Sequence, residues 1–387
     1  MNSRTLIGFA VALVVLVGLA AFGHRSAESS DTGTGALFMP GLKPQLNDVD
    51  RVKVVGAGEK PIATLVRKKD GWVVAEKDQY PADVSKVRDA LLNLAEAHIV
   101  EQKTANPDYY SRLGVEPVKL STATGTELTL LEGDKTIAAV TIGKSSGKDY
   151  RYARNDAQPA SYLVDKALEV PTEAAKWTDP KIVDIPGKSV REVTITRANG
   201  ETLTIAKAKA EQQDFAVENV PKGRELQYPG VADVVGNALH DLQLQDVAAA
   251  SADEPLPAVT SVYRTFDGLV VTVKGTKKDD AAWVELAASV DTDQVAAGDG
   301  SASSAKDSSA SSAKDTHGAD TDAAASKTAP AKLDPHAQAD AINARVHGWR
   351  YRIASYQYDQ MTRRMDDLLK AEQPPQAKQP AEGKKKK

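Results

Sequence analysis

The longest uninterrupted apolar stretch of the chain lies at its N-terminus. Residues 6–22 contain no charged side chain, and Arg4 precedes them. A helix over residues 5–23 would be about 28 Å long, close to the ~30 Å thickness of the hydrocarbon core of a bilayer. The stretch is longer than the apolar region of most cleaved signal peptides, and its best cleavage site, at residues 21–23, is a poor one. The pattern predicts an uncleaved transmembrane anchor over residues 5–23, with a cleaved signal peptide as the alternative.

The residues beside this stretch predict an orientation and a stalk. Arg4 and the terminal amine favour a cytoplasmic start, whereas Arg25 on the other side weakens that bias. We expect a single-pass protein of the inner (cytoplasmic) membrane with the bulk of the chain in the periplasm. Ser, Gly and Thr are abundant over residues 26–41, which predicts a flexible stalk over residues 24–46.

Alternating apolar and polar residues begin near residue 47 and predict β-strands. Val52 and Val54 alternate with charged residues, and a second alternating run ends at Asp70-Gly71, a hairpin signal. Asp83 is a suitable helix N-cap. Behind it, residues at helical spacing form one face: Val84, Val87, Leu91, Leu94 and His98. The predicted order is three strands followed by a helix.

The same order returns at an offset of 148 residues. Gln227-Tyr228-Pro229 repeats the tripeptide at 79–81. At the same offset Val235, Ala238, Leu239 and Leu242 match Val87, Ala90, Leu91 and Leu94. Matching residues at a constant offset indicate an internal duplication. The predicted fold class is α+β, with two related β-β-β-α units that have antiparallel sheets, extended by β-meanders, after one N-terminal transmembrane helix.

Two later segments differ in composition from the predicted units. Residues 291–338 are rich in Ala, Ser, Asp and Lys and contain one seven-residue sequence twice. A segment of this composition has too little apolar surface to offset the entropy lost on ordering, so it is predicted to be disordered. The C-terminal residues are rich in Pro, Gln and Lys, which predicts a solvated basic tail, with contact to anionic lipid or to a partner as the alternative. The predicted organisation is an anchor at 5–23, a stalk at 24–46, a first unit at 47–184, a second unit at 185–290, a disordered insertion at 291–338, a final strand and helix at 339–370 and a disordered tail at 371–387.

Composition excludes several kinds of chemistry. The 387 residues include no cysteine, which excludes disulfides, thiolate nucleophiles and cysteine metal sites. A net charge of −4 gives no electrostatic reason to expect nucleic-acid binding. The six histidines have no metal-ligand spacing, and the glycines at 56–58 and the Gly-Lys-Ser at 143–145 complete no nucleotide-binding motif. We therefore predict no catalytic, cofactor-binding or metal-binding residues and no cofactor.

The four tryptophans are the main candidates for residues of a binding surface. Trp72, Trp177, Trp283 and Trp349 lie in or beside predicted strands. Aromatic residues at such positions are usually packed in a core, so core packing is the expectation. Stacking against carbohydrate in an exposed groove is the alternative.

Several motifs resemble those of one family in their order and spacing. They are Tyr110-Ser111-Arg112-Leu113-Gly114-Val115, Ile142-Gly143, Tyr152-Ala153-Arg154, Tyr162-Leu163-Val164-Asp165, Trp177-Thr178-Asp179-Pro180, Val193-Thr194-Ile195, Gly223-Arg224-Glu225-Leu226 and Gly348-Trp349-Arg350-Tyr351. On these residues the chain resembles the uncharacterised bacterial family named domain of unknown function 4340, over most of 47–290 and 340–370. The resemblance implies a membrane-anchored accessory protein associated with ABC-type transport systems of the gliding-motility auxiliary kind, and it carries over no catalytic residue.

The combined prediction is a non-catalytic, membrane-anchored, extracytoplasmic accessory protein whose partners are subunits of an ABC-type transport system or other envelope proteins. A cell-envelope carbohydrate- or peptidoglycan-binding module is the alternative, and it requires exposed Trp or Tyr side chains along a groove. An envelope hydrolase is the third possibility, and it requires a cleft that collects acidic residues.

Overall fold

A computed structural model describes residues 34–251, 259–291 and 334–371. Within it the chain divides into two compact units, the first ending at Asp179 and the second beginning at Pro180. The predicted anchor at 5–23 lies outside the described residues. So do most of the predicted insertion and of the predicted basic tail.

The first unit is built on one antiparallel sheet. Its strands are β1 Arg51–Gly56, β2 Lys60–Lys68, β3 Gly71–Val74, β4 Tyr80–Pro81, β5 Ile99–Gln102, β6 Thr126–Glu132, β7 Lys135–Ser146, β8 Tyr150–Asn155 and β9 Ser161–Val164. The nine-stranded sheet has the order β4-β3-β2-β1-β6-β7-β8-β9-β5. Its helices are α1 (Val84–Ala95) and the short α2 (Tyr110–Leu113).

The core of the first unit lies on one face of this sheet. Side chains alternate between the two faces of a strand, so Val52, Val54 and their cross-strand neighbours all point inward. Helix α1 begins as the sequence predicts: the Asp83 carboxylate accepts hydrogen bonds from the backbone amides of Ser85 at 2.9 Å and Lys86 at 3.3 Å. The helix buries its apolar face in the same cluster as the strands, through Val87, Leu91, Leu94 and Ala95.

The second unit contains one large and one small antiparallel sheet. Its strands are β10 Lys181–Val183, β11 Val190–Arg197, β12 Thr202–Ala206, β13 Ala216–Val217, β14 Leu242–Gln243, β15 Asp246–Ala249, β16 Val259–Thr265, β17 Leu269–Lys278, β18 Ala281–Val290 and β19 Trp349–Ile353. The large sheet has the order β13-β12-β11-β16-β17-β18-β19-β15, and β10 pairs with β14. The helices are α3 (Asp233–Gly236), α4 (Pro335–Val346) and α5 (Ser355–Met361).

The two large sheets have the same strand order. From β3 onward, β3-β2-β1-β6-β7-β8-β9-β5 corresponds strand for strand to β13-β12-β11-β16-β17-β18-β19-β15. Part of the register corresponds as well: Val54, Leu128 and Val140 lie opposite one another in the first sheet, as Ile195, Ser261 and Val273 do in the second. A shared order of eight strands is what duplication of one ancestral unit produces.

The predicted α+β class is wrong, because the described residues are mostly antiparallel β-sheet with few helices. The clearest departure is the second predicted helix, which shrinks to the four residues of α3. Gly236 ends it, and glycine within a helix costs about 1 kcal/mol relative to alanine. The Phe215 ring fills the space that a side chain at position 236 would need, since a Cβ at Gly236 would lie 2.1 Å from that ring.

The predicted transmembrane helix and inner-membrane localisation are also corrected. Both depended on a membrane-spanning helix, and no helix among the described residues is long and apolar enough to be one. The longest of them, α1 and α4, have 12 residues each. That length corresponds to about 18 Å, well short of a ~30 Å hydrocarbon core.

The segment ahead of β1 packs against the first sheet. Phe38, Met39 and Leu42 are buried in its core. The chain here also extends the edge of β5, because the backbone amide of Gly35 donates to the carbonyl of Ile99 at 2.7 Å. The described part of the predicted stalk at 24–46 is therefore part of the folded unit, since its apolar residues have a core to enter.

Replacing Phe38 by Ala should lower the free energy of unfolding by about 3–5 kcal/mol. The ring is only 4% exposed and meets the Tyr162 ring edge-on, with 5.9 Å between ring centres. Leu37 is the matched control because it is 39% exposed, so Leu37→Ala should cost about 0.5 kcal/mol or less. Urea denaturation measures both, and equal losses would contradict the packing of this segment.

Asp184 ties β10 to the turn before β14. Its Oδ1 accepts the backbone amide of Asp241 at 3.0 Å and lies 2.9 Å from Nδ1 of His240. Its Oδ2 accepts Lys181 Nζ at 3.1 Å. These contacts, with the Asp241 amide the strongest of them, lower the pKa of Asp184 from 3.8 to about 2.

Asp184→Asn should make stability less sensitive to acid. A carboxyl whose pKa is lowered by folding stabilises the fold above its unfolded pKa, and this contribution disappears as the pH falls through its folded pKa. Wild type should therefore be more stable than the variant near neutrality, and the difference should shrink from about pH 3.8 towards pH 2. Denaturation over a pH series tests this, with Asp134→Asn on an exposed turn as the control. A difference that does not change with pH would contradict the role of the carboxylate.

Candidate functional site

The two faces of the large sheet in the second unit differ in exposure. Val271, Val273 and Val284 point inward and are at most 3% exposed. The residues between them point to the other side. We name this outer surface the Trp283 face, and it consists of Lys274, Thr276, Trp283, Glu285, Arg350 and Arg352. All six of these side chains are partly or fully exposed.

The Trp283 face is organised in two cross-strand rows. In one row Trp283 pairs with Thr276 on β17 and with Arg352 on β19. In the other, Lys274 pairs with Glu285, and Arg350 Nη2 donates to Glu285 Oε1 at 3.1 Å. The Arg350 side chain is 13% exposed and the Glu285 side chain is 42% exposed.

A shallow depression lies on this face. Its volume is about 30 Å³, and it is lined by Lys274, Gly275, Thr276, Trp283, Val284, Glu285 and Arg350. Small-molecule sites usually enclose about 300–1,000 Å³, whereas this depression has room for about one water molecule. The face therefore suits contact with another surface better than enclosure of a substrate.

A larger groove in the same unit runs between β10 and α4. Its volume is about 420 Å³, and Ile182 and Leu269 form part of its buried apolar floor. The polar groups at its rim already hold the fold together, since Arg345 Nη1 donates to the carbonyl of Lys181 at 2.8 Å and Asp184 carries the contacts described above. The groove is large enough for a ligand but brings few polar groups together to recognise one.

The first sheet has residues at the positions equivalent to the Trp283 face. Thr141 pairs with Arg154 there, as Lys274 pairs with Glu285 in the second sheet. The next pair along the ladder is Ile142 with Ala153 in the first sheet and Gly275 with Val284 in the second. Thr141 and Arg154 thus mark the equivalent row.

In the first unit this row is buried under residues 107–125, which we name the cover segment. Arg154 Nε donates to the carbonyl of Val115 at 2.9 Å, and the guanidinium carbon lies 5.2 Å from the centre of the Tyr110 ring. Arg154 is 7% exposed and Thr141 is 0% exposed. A segment of the same chain therefore occupies this face of the first sheet.

The charges beneath the cover segment are compensated locally. Arg154 Nη2 lies 2.7 Å from Asp156 Oδ1, which also accepts the Thr141 hydroxyl at 2.7 Å. Burial, together with the Asp156 charge, raises the pKa of Glu127 on the neighbouring strand, while Thr129 and Arg154 oppose the rise. The network therefore belongs to the packing of the cover segment.

Glycine at position 143 lets the cover segment lie directly on β7. A Cβ at Gly143 would be 2.4 Å from the carbonyl oxygen of Leu113, so no side chain fits there. The cover is closed by Glu116, whose Oε1 accepts the Thr124 backbone amide at 2.9 Å. In the second sheet Thr276 follows Lys274 by two residues, as Gly143 follows Thr141. Gly143 lies in a bulge of β7, whereas Thr276 pairs regularly with Trp283.

The hydrolase alternative needs a cleft that collects acidic groups. In the second unit Asp214 and Asp233 lie beside Gly230, whose Cβ would be 3.1 Å from Asp233 Oδ2 and 3.4 Å from Asp214 Oδ1. Burial raises the pKa of Asp233, and its Oδ1 accepts the backbone amide of Phe215 at 2.9 Å. The hydrogen bond from Phe215 means that the Asp233 carboxyl already holds the chain ahead of β13 in place. No group of three or more His, Asp or Glu among the described residues is arranged to hold a metal ion.

The tryptophans have different environments. Trp177 is fully buried, and its Nε1 donates to the carbonyl of Pro171 at 3.1 Å. Trp72 is partly buried and packs against the first core. Trp349 begins β19 and is partly buried, and Trp283 borders the depression on the outer face. Sequence reasoning named no site residue, because the face is assembled from strands on both sides of residues 292–333. The signal that could have found it is the alternation of side chains along a strand, which puts Trp283 and Val284 on opposite faces.

The fold and this face define a duplicated antiparallel β protein with one covered and one partly exposed outer sheet surface. Residues 72–259 match the family described as Domain of unknown function (DUF4340), in agreement with the resemblance seen in the motifs. No curated protein and no solved structure matches the chain.

Gly143→Ala should loosen the cover segment. The added methyl group would meet the Leu113 carbonyl, which is backbone and cannot rotate away. We expect a loss of about 1–3 kcal/mol in the free energy of unfolding and faster proteolysis within residues 107–125. Thr276→Ala on β17 of the second sheet is the control and should leave cleavage at 107–125 unchanged. Unchanged stability and proteolysis in Gly143→Ala would show that the segment does not depend on this contact.

Proposed function

We propose that the protein is a non-catalytic accessory protein that binds a partner protein through the Trp283 face of its second unit. One observation carries the proposal: Thr141 and Arg154, which the first unit buries under its own cover segment, correspond here to the exposed Lys274 and the partly exposed Glu285. The partly exposed Trp283 and Arg350 lie beside them. Trp and Arg are the residues most often found at the energetic centres of protein interfaces.

The partner that we propose is a subunit of an ABC-type transport system. The support is what the resemblance of the motifs implies, an accessory protein associated with such systems, together with the family match over residues 72–259. That match ends at the start of β16, before the strands that carry the Trp283 face. It therefore supports the class of partner and not the location of the interface. The location of the interface rests on the residues of the Trp283 face themselves.

A binding role without turnover is supported by the chemistry of the face. Glu285 is engaged by Arg350, and the depression beside Trp283 has a volume of only about 30 Å³. A general acid or base has to reach a bound substrate and exchange a proton with it. A flat surface of paired charges around an indole ring instead fits the rim and centre of an interface.

Affinity purification with the wild-type chain and two variants tests this proposal. Trp283→Ala removes the aromatic group at the centre of the face, and Lys274→Glu reverses a charge at its rim. We expect mass spectrometry to find ABC-type transport subunits enriched with the wild type, and both variants to lose at least about 90% of them, because loss of an interface hot spot costs about 2 kcal/mol or more.

Lys209→Glu is the control, since Lys209 is exposed on the turn after β12, away from the face. It should retain the wild-type partners. Circular dichroism and thermal unfolding of each variant separate loss of binding from loss of fold. The proposal fails if transport subunits are absent from the wild-type sample, or if folded Trp283→Ala and Lys274→Glu proteins retain them.

A carbohydrate-binding module is the second candidate, and the position of Trp283 favours it. A partly exposed indole ring next to a carboxylate and a guanidinium can stack on a sugar ring while the charged groups accept and donate hydrogen bonds. Saturable binding of soluble glycan fragments that is abolished by Trp283→Ala, without enrichment of any transport subunit, would support this candidate instead.

A further inference from the structure

The first unit shows how this fold uses the outer face of its sheet. The cover segment runs across β7 and β8, presents its Val115 carbonyl to Arg154 and places the Tyr110 ring over the guanidinium. The face accepts an irregular stretch of chain laid across the strands, held by a cation on the sheet. The equivalent face of the second sheet has the same strand order, and the pairs Thr141–Arg154 and Ile142–Ala153 correspond to Lys274–Glu285 and Gly275–Val284. Beyond these pairs β7 has a bulge between Ile142 and Ser145, whereas β17 continues without one.

The charges of the second face favour an acidic occupant. Lys274, Arg350 and Arg352 lie around Glu285, and Asp246 stands opposite Arg352 in the ladder at the edge of the face. Cations therefore outnumber carboxylates. Lys274 is exposed, and in the described part of the chain it has no carboxylate within ion-pair distance.

The shape of the second face differs from the first at one decisive position. Gly143 lets the cover segment lie against the backbone of β7, whereas Thr276 carries a side chain there. Trp283 pairs directly with Thr276 and raises the surface further. An occupant of the second face must therefore rest on these side chains, with apolar groups on the indole ring and anionic groups towards Lys274.

We infer that the Trp283 face binds an acidic, extended segment of the partner protein, laid across β17, β18 and β19 with its carboxylates beside Lys274. This inference rests on the proposed function and specifies the chemistry of the partner. Three neighbouring strands span about 10 Å, so about three extended residues cross them. Charge complementarity at the rim of such an interface mainly sets specificity and the rate of association.

Binding of a fluorescein-labelled peptide tests the inference by fluorescence anisotropy. The probe has about ten residues, with glutamates alternating with valine and leucine, and two counterparts replace every glutamate by glutamine or by lysine. We expect saturable binding of the glutamate peptide only, weakening about tenfold or more between about 0.05 M and 0.5 M salt. Lys274→Glu should weaken it by at least about tenfold, whereas Lys209→Glu should leave it unchanged.

A charge swap distinguishes recognition from damage to the fold. Lys274→Glu should bind the lysine peptide better than the wild type does, a gain that misfolding cannot produce. Equal binding of all three peptides, absence of binding, or loss of binding in Lys209→Glu would overturn the inference. Concentration-dependent self-association that is abolished by Trp283→Ala would also overturn it, since a second copy would then be the occupant.

The two proposals can fail separately. Suppose that transport subunits are recovered with the wild type and lost in Trp283→Ala, but the glutamate peptide does not bind. The inference of an acidic occupant is then wrong, and the proposed accessory function stands. If the glutamate peptide binds as expected but no transport subunit is recovered, the face binds acidic segments and the proposed class of partner is wrong.

Discussion

In each unit an antiparallel ladder turns alternate side chains to one side of a sheet, and those side chains are buried. Val54, Leu128 and Val140 form one such inward row, and Ile195, Ser261 and Val273 form its equivalent. A slip of one residue would exchange the buried and exposed sets, so burial of the inner face holds the register of every strand. The outer face is then determined as well, and both the cover segment and the Trp283 face depend on it.

The duplicated units differ in the length of one helix and in the outer face of the large sheet. Helix α1 has 12 residues, whereas its counterpart α3 has four, because the Phe215 ring takes the place of a side chain at Gly236. Gly143 admits backbone onto the outer face of the first sheet, whereas Thr276 in the second does not. The strand order has been retained, while one outer face is buried under a segment of the same chain and the other is partly exposed.

The Trp283 face and the groove beside α4 illustrate two kinds of surface in the second unit. The groove has the volume of a ligand site, but Asp184 and Arg345 at its rim hold neighbouring parts of the chain. The face has almost no enclosed volume, yet it presents an indole ring and cations on rigid strands. Affinity for a protein partner depends on a few well-placed groups more than on cavity volume, which is why the face is the stronger candidate.

Local patterns in the sequence were sufficient to predict the strands and the repeat. The alternation at Val52 and Val54, the Asp70-Gly71 turn and the Asp83 N-cap all occur where the pattern predicts them, because each depends on local backbone and side-chain geometry. Tertiary structure alone decided the burial of Phe38, the loss of the second long helix and the contrast between the buried Trp177 and the partly exposed Trp283. Each of these depends on partners distant in sequence, and a pattern within one segment does not contain them.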